Sequence, residues 1–141
     1  MPPYFDVYVL SPDRSAKDAE RFLDAFVPQR EPSTSEYEFP QYAEQPQLVI
    51  RSAREAIHHC EAYPDKAHSL YFRNLGAGPA HAMLFFTSDG ALIFGLSVVE
   101  RADEWFARLK ELTGSKIGYV TFEEPPVATA SEFRALAMSV A

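Results

Sequence analysis

A chain of 141 residues, 47% hydrophobic and 23% charged, is long enough to bury a core of its own and reads as a single domain, 1–141. Its net charge of −7 argues against non-specific nucleic-acid binding and for a partner with a basic surface. No apolar run reaches the roughly 18 residues of a membrane span. The opening residues lack the pattern of a secretory signal, and the single Cys60 can form no internal disulfide, so a cytoplasmic protein with no membrane partner is expected.

Tyr4 to Leu10 has the composition of a strand, with Phe5, Val7 and Val9 on one face and Tyr4, Tyr8 and Leu10 on the other. Ser15 followed by Asp18 predicts a capped helix. It runs to Val27 with Ala19, Phe22, Leu23 and Phe26 on one stripe, and Pro28 stops it. Residues 28–47 show no period. They carry Pro28, Pro32, Pro40 and Pro46, the acids Glu31, Glu36, Glu38 and Glu44, and the aromatics Tyr37, Phe39 and Tyr42. A crossover of that length is either functional or mobile, with room for a short strand at 37–39. Leu48 to Arg51 is a short strand or a lead-in to a helix over roughly 53–63, capped by Ser52 with Glu55 and turning Ala53, Ala56, Ile57 and Cys60 inward. His68 to Arg73 is the next strand, and Asn74 to Pro79 a turn-rich connector.

Ala82 to Val99 is the expected centre. Two apolar runs flank Asp89-Gly90, the strongest short-range hairpin signal. A two-residue loop pairs Phe86 with Ile93, Phe85 with Phe94 and Leu84 with Gly95. One face then carries Met83, Phe85, Leu92, Phe94 and Leu96, and the other Leu84, Phe86 and Ile93. Neither face suits water, so cover on both sides is expected. Arg101 to Thr113 follows as a helix with Ala102, Trp105, Phe106, Leu109 and Leu112 inward, Glu104 and Arg108 one turn apart on its outer side, and Gly114 as its cap. Ile117 to Phe122 is the last strand, ended by Glu123-Glu124-Pro125-Pro126. Thr129 with Glu132 opens a final helix that turns Phe133, Leu136, Ala137 and Val140 inward. The order predicts an α+β domain: a mostly antiparallel sheet of about five to six strands, with about four helices packed on it.

Motifs that would carry chemistry are sparse. In His58-His59-Cys60-Glu61, neighbours on a helix diverge by about 100°, so the side chains cannot converge on one metal ion. Cys60 falls on the inward stripe with Ile57, away from any base. The turn at Gly76-Ala77-Gly78-Pro79 leads into a strand rather than a helix, so it lacks the amides that hold a phosphate. Glu123 and Glu124, adjacent at a strand end, point to opposite sides and read as a solvated acidic corner. No catalytic residue, metal ligand or cofactor is expected.

The stretches Phe85–Leu96 (Phe-Phe-Thr-Ser-Asp-Gly-Ala-Leu-Ile-Phe-Gly-Leu) and Gly118–Pro126 (Gly-Tyr-Val-Thr-Phe-Glu-Glu-Pro-Pro) give the chain a general build. In that build its C-terminal half resembles the small acidic immunity proteins that bacteria pair with secreted toxins. The resemblance implies a cytoplasmic inhibitor that binds a basic toxin surface, with acids steering the encounter and aromatics anchoring it. The crossover supplies the residues for a non-catalytic protein-binding module: Tyr37, Glu38, Phe39, Tyr42 and Glu44. A plainer reading has Tyr37, Phe39 and Tyr42 pinning the crossover to the flank of the domain. The alternatives are a small enzyme with a pocket between the sheet and the crossover that uses His68 or His81, which flank one connector and could approach one another, and a structural subunit of a homodimer.

Overall fold

The apolar runs beside Asp89-Gly90 do pair, and the sheet extends outward from them on both sides. The computed structural model describes residues 4–139. Its elements are β1 (Phe5–Leu10), α1 (Ala16–Phe26), β2 (Arg30–Pro32), β3 (Tyr37–Phe39), β4 (Leu48–Ile50), α2 (Ala53–Ala62), β5 (His68–Asn74), β6 (His81–Phe86), β7 (Leu92–Val98), α3 (Ala102–Thr113), β8 (Gly118–Phe122) and α4 (Ala130–Ser139). Six strands form one sheet in the order β2-β5-β6-β7-β1-β8, every neighbouring pair antiparallel. β3 and β4 pair separately as a small ribbon. The α+β expectation holds, with the hairpin at the centre of the sheet. Val140, expected on the inward face of the last helix, lies outside the described residues.

The hairpin register differs from the expectation by one residue. Phe86 pairs with Leu92, Phe85 with Ile93 and Leu84 with Phe94. The Thr87 amide donates to the Ala91 carbonyl at 2.9 Å, which leaves Ser88, Asp89 and Gly90 as a three-residue loop with Gly90 at φ +85°. Thr87 explains the wider loop. Its hydroxyl donates to the Asp89 carboxylate at 2.6 Å and accepts the Ala91 amide at 2.9 Å, so one side chain closes the turn from within. A one-residue slip exchanges the faces of a whole strand. Leu84 and Phe86 therefore lie with Leu92, Phe94 and Leu96, while Met83 and Phe85 lie with Ile93.

Both faces are covered, by different helices. On the first, Val7, Leu70, Phe72, Leu84, Phe94 and Leu96 pack against Phe22, Leu23 and Phe26 of α1, Ile57 and Cys60 of α2 and Leu109 of α3. Phe22 stacks on Phe94 with ring centroids 4.5 Å apart. On the second, Tyr8, Leu10, Ile93 and Tyr119 meet Ala130, Phe133 and Ala137 of α4. Every residue of β7 is buried in consequence. The loop also holds α4 in place: Asp89 accepts the amides of Ala130 at 3.0 Å and Ser131 at 3.2 Å, the free donors of that helix's first turn.

The expected caps are present. Ser15 accepts the Asp18 amide at 3.0 Å, Ser52 that of Glu55 at 3.3 Å and Thr129 that of Glu132 at 3.2 Å. α3 departs from its expected burial. Of its five inward residues only Leu109 is buried, and Ala102, Trp105, Phe106 and Leu112 are half-buried. Cations shield the exposed ring faces: Arg108 lies 4.5 Å over the Trp105 ring and Lys110 4.2 Å over Phe106.

One residue joins the helices to the hairpin. Arg14, 9% exposed, donates from Nε to the Cys60 carbonyl (3.0 Å), from Nη1 to those of Thr87 (2.7 Å) and Ala91 (2.9 Å), and from Nη2 to those of Tyr63 (3.3 Å) and Lys66 (2.7 Å). Nearby, Glu61 of α2 accepts the Ala16 amide at the start of α1 at 3.0 Å.

Two truncations separate core from cap. Phe94→Ala removes a ring that Phe22 stacks on and should cost about 3–5 kcal/mol. Thr129→Ala should cost about 1 kcal/mol, and less where Asp89 still holds the first turn of α4. Thermal or denaturant unfolding of the two variants checks the order.

Candidate functional site

The crossover is an ordered strap rather than a free loop, and each of its bends has a local cause. β2 adds to the outer edge of β5, setting Glu31 opposite Arg73, whose side chains pair at 2.8 Å. Pro32 sits at this edge, where a strand loses least by lacking a donor. Beyond β2 the edge of β5 would be bare at Ser69. Gln41 covers it: its Nε2 donates to the Ser69 carbonyl at 2.9 Å and its Oε1 accepts the Ser69 amide at 2.8 Å. A side-chain amide here does the work of a missing strand.

Inside the strap runs a column of rings. Phe39 stacks on His68 of β5 (centroids 4.3 Å apart) and meets His59 of α2 at 4.4 Å. His59 meets Tyr63 at 4.6 Å, and Tyr37 lies 6.1 Å from His68. Tyr37 and Phe39 are buried, at 2% and 6% exposure. The plainer expectation thus describes these two, which anchor the strap. Tyr42 does the opposite. It is 84% exposed and held at φ +66°, a left-handed conformation that a bulky residue adopts only under constraint. Glu38 is half-buried and Glu44 exposed. The five expected binding residues therefore divide into an anchor (Tyr37, Phe39) and an outward tip (Tyr42, Glu44), with Glu38 between them.

A cleft of about 320 Å³ lies under the strap, walled by Thr34, Glu36, Tyr37, Tyr42, His68 and Tyr71 among others. The Nε2 atom of His68 is 3.2 Å from the Glu38 carbonyl. A carbonyl only accepts, so Nε2 carries the proton and Nδ1 presents a lone pair. His68 Nδ1 and the Tyr37 hydroxyl are both buried, and neither meets a hydrogen-bond partner among the described residues. Buried polar atoms in that condition cost about 1–3 kcal/mol each, and they cluster where a water or a bound group completes them. Burial lowers the pKa of His68, against the opposing pull of the Glu38 and Ser69 backbone.

The pair on which a histidine pocket would depend is not assembled. His68 lies opposite Phe86 and His81 opposite Arg73, at the two ends of the β5–β6 pairing. That is about 16 Å along the strand. The two also face opposite ways, His68 with Leu70 and Phe72, His81 with Met83. Cys60 is fully buried, and burial pushes its thiol up to about 12, opposed by Arg14. A thiol so placed is no nucleophile at neutral pH. Among the described residues no group of three or more His, Cys, Asp or Glu side chains could hold a metal ion, and no helix is long and apolar enough to cross a membrane. The connector at Gly76–Pro79 is a turn organised by Asn74, whose side chain accepts the Gly76 amide at 2.9 Å and donates to the Pro79 carbonyl at 2.7 Å.

Reading the sequence overlooked Gln41 as part of the crossover site, and set His68 beside the crossover only as a candidate for a histidine pocket, not as a partner of its aromatics. Gln41 gives no signal, because its role depends on where β2 ends. His68 could have been paired with the crossover aromatics, since a histidine at the start of an apolar strand needs a partner for its ring nitrogens. No protein-family model matches the chain, and neither a curated protein nor a solved structure does.

The buried imidazole gives a pH signature. Its pKa is lowered in the folded state, so below the ordinary value of 6.5 the unfolded chain binds the extra proton and stability falls as pH falls. Replacing it by His68→Phe should flatten the loss of stability between pH 7 and pH 5 relative to the parent. Urea unfolding of both chains across that range measures the difference. Parallel curves would show that His68 titrates as freely in the fold as outside it.

Proposed function

We propose that the protein is a non-catalytic binding module that engages a basic protein surface through the crossover strap, in its narrowest form an immunity-type inhibitor of a basic toxin acting in the cytoplasm. The observation that carries the reading is Tyr42. A large ring standing in water at a left-handed position costs folding energy and adds nothing to the core. Interfaces draw anchors of this kind from rigidly held aromatics. The strap beneath supplies the rigidity, since Tyr37 and Phe39 are buried and Gln41 is clamped to β5. Glu36 and Glu38 line the cleft with Tyr42, and Glu44 follows it by two residues. Glu44 is exposed, and Glu36, on the wall of the cleft, has its carboxylate 3.4 Å from Arg51. With a net charge of −7, such a surface draws a cationic partner in faster than a neutral one.

A self-association reading has one observation behind it. Phe5 and Phe122, 37% and 51% exposed, face each other across the β1–β8 pairing with centroids 5.4 Å apart, and among the described residues no strand pairs with the outer edge of β8. Sedimentation equilibrium of the purified chain separates the two readings: a concentration-dependent dimer abolished by Phe122→Ser favours the homodimeric subunit.

The binding reading is tested by placing a photo-crosslinking amino acid at position 42 and, as a control, at the exposed position 54, in the cell from which the chain comes. A product is expected at 42 and not at 54. Excess unlabelled parent should suppress it and Tyr42→Gly should not. Glycine suits the backbone at this position, so Tyr42→Gly should change stability by no more than about 0.5 kcal/mol. Equal labelling at both positions, or equal competition by Tyr42→Gly, would overturn the assignment.

A further inference from the structure

α4 covers only part of the second face of the sheet. What it leaves open is a cleft of about 330 Å³, walled by the rings of Tyr4, Tyr8, Tyr71 and Phe85 and floored by Asp6 beside Ser97. We propose that this cleft binds an alkylammonium group, carried either by a free amine or by a lysine side chain of a partner protein.

Asp6 is the first reason. It is 8% exposed, and Ser97 donates to its Oδ1 at 2.8 Å, but among the described residues it enters no ion pair. A buried carboxylate is ordinarily matched by a cation. Of the side chains lining the cleft three are carboxylates, those of Asp6, Glu123 and Glu124, and none is cationic. Among the described residues the one basic group acting on Asp6 is His81, whose ring packs edge-on to Tyr4 at 5.7 Å. The charge the site lacks is therefore positive.

The walls are the second reason. Phe85 stands edge-on to Tyr8 at 5.9 Å and to Tyr71 at 5.8 Å, so three rings form one angled surface. Ring faces attract a diffuse cation, most strongly where water is excluded. Gly95 lets two of the lining side chains lie close on the sheet: a Cβ there would lie 2.9 Å from the Tyr8 ring and 3.0 Å from the Met83 methyl. The Tyr8 hydroxyl donates to the Glu124 carbonyl at 2.6 Å, fixing both the ring and the acidic turn at the rim. Since no group among the described residues could ligate a metal, the occupant these walls suit is an organic cation, which needs one carboxylate and several rings rather than a shell of oxygens. Burial holds the Asp6 carboxyl above its ordinary range, and a cation bound beside it would act the other way.

The inference does not depend on the crossover reading, although the two clefts share Tyr71 as a wall. The test is an NMR titration of the full ¹⁵N-labelled chain with tetramethylammonium chloride, with sodium chloride at equal ionic strength, and with tert-butanol as the neutral isostere. The amides of Gly95 and Ser97 should shift saturably with tetramethylammonium alone. Asp6→Asn should weaken that binding about tenfold. Tyr4→Ala removes a half-buried wall and should weaken it similarly, keeping the test usable if Asp6→Asn does not fold. Adding N-acetyl-lysine methylamide distinguishes the sources: tighter binding than tetramethylammonium assigns a partner's lysine, weaker binding a free amine. Equal shifts with tert-butanol, no saturable shift with either cation, or undiminished affinity in the folded variants would overturn the proposal.

Discussion

The structure depends on a buried guanidinium that meets no carboxylate among the described residues. All the donors of Arg14 go to backbone carbonyls, and the group lies 5.0 Å over the Phe86 ring. Three of the carbonyls belong to the end of α2 and the turn after it, where helix carbonyls lack partners and the helix dipole is negative. The other two belong to the hairpin loop. Burial lowers the pKa of the group, but an arginine remains charged in any protein environment. The carbonyl dipoles offset most directly the cost of its desolvation, helped by the Phe86 ring face and the charges of Asp65 and Asp89. Only a planar fork with five donors can do this, and a lysine, with three, cannot.

From that point the architecture follows in both directions. Arg14 holds the loop at 87–91, Thr87 sets its length, and Asp89 on the same loop caps α4 on the far side of the sheet. One polar chain thus connects the helix layer of the first face to the helix of the second. The hairpin between them can be apolar on both sides because helices pack on each face, α1, α2 and α3 on the first and α4 on part of the second.

Much of this was legible in the sequence. Periodicity located the helices and most of the strands, and the three Ser/Thr caps fell where the spacing put them. The central hairpin was evident from its aromatic runs. Its register was not, because Asp-Gly serves both two- and three-residue loops and the choice was made by the Thr87 hydroxyl. β2 was invisible, since three residues around a proline have no period. α3 looked fully inward because its apolar stripe is wide, whereas half of that stripe is covered by its own Arg108 and Lys110. In the crossover, composition identified the aromatics but could not say which faced inward. That depends on long-range contacts, Phe39 with His68 and Gln41 with Ser69. Asp6 escaped notice altogether, as a lone acid in an apolar strand signals nothing until its neighbours across the sheet are known.

The function proposed for the crossover tip and the site proposed beside Asp6 both presuppose a rigid frame. That frame is tested most directly by amide hydrogen exchange in Arg14→Lys. The account predicts that the amides of Tyr63, Lys66, Ala91, Ala130 and Ser131, which span α2, the hairpin loop and α4, lose protection together while the β1–β7 ladder keeps its own. Exchange that is unchanged, or faster only beside residue 14 in α1, would contradict it.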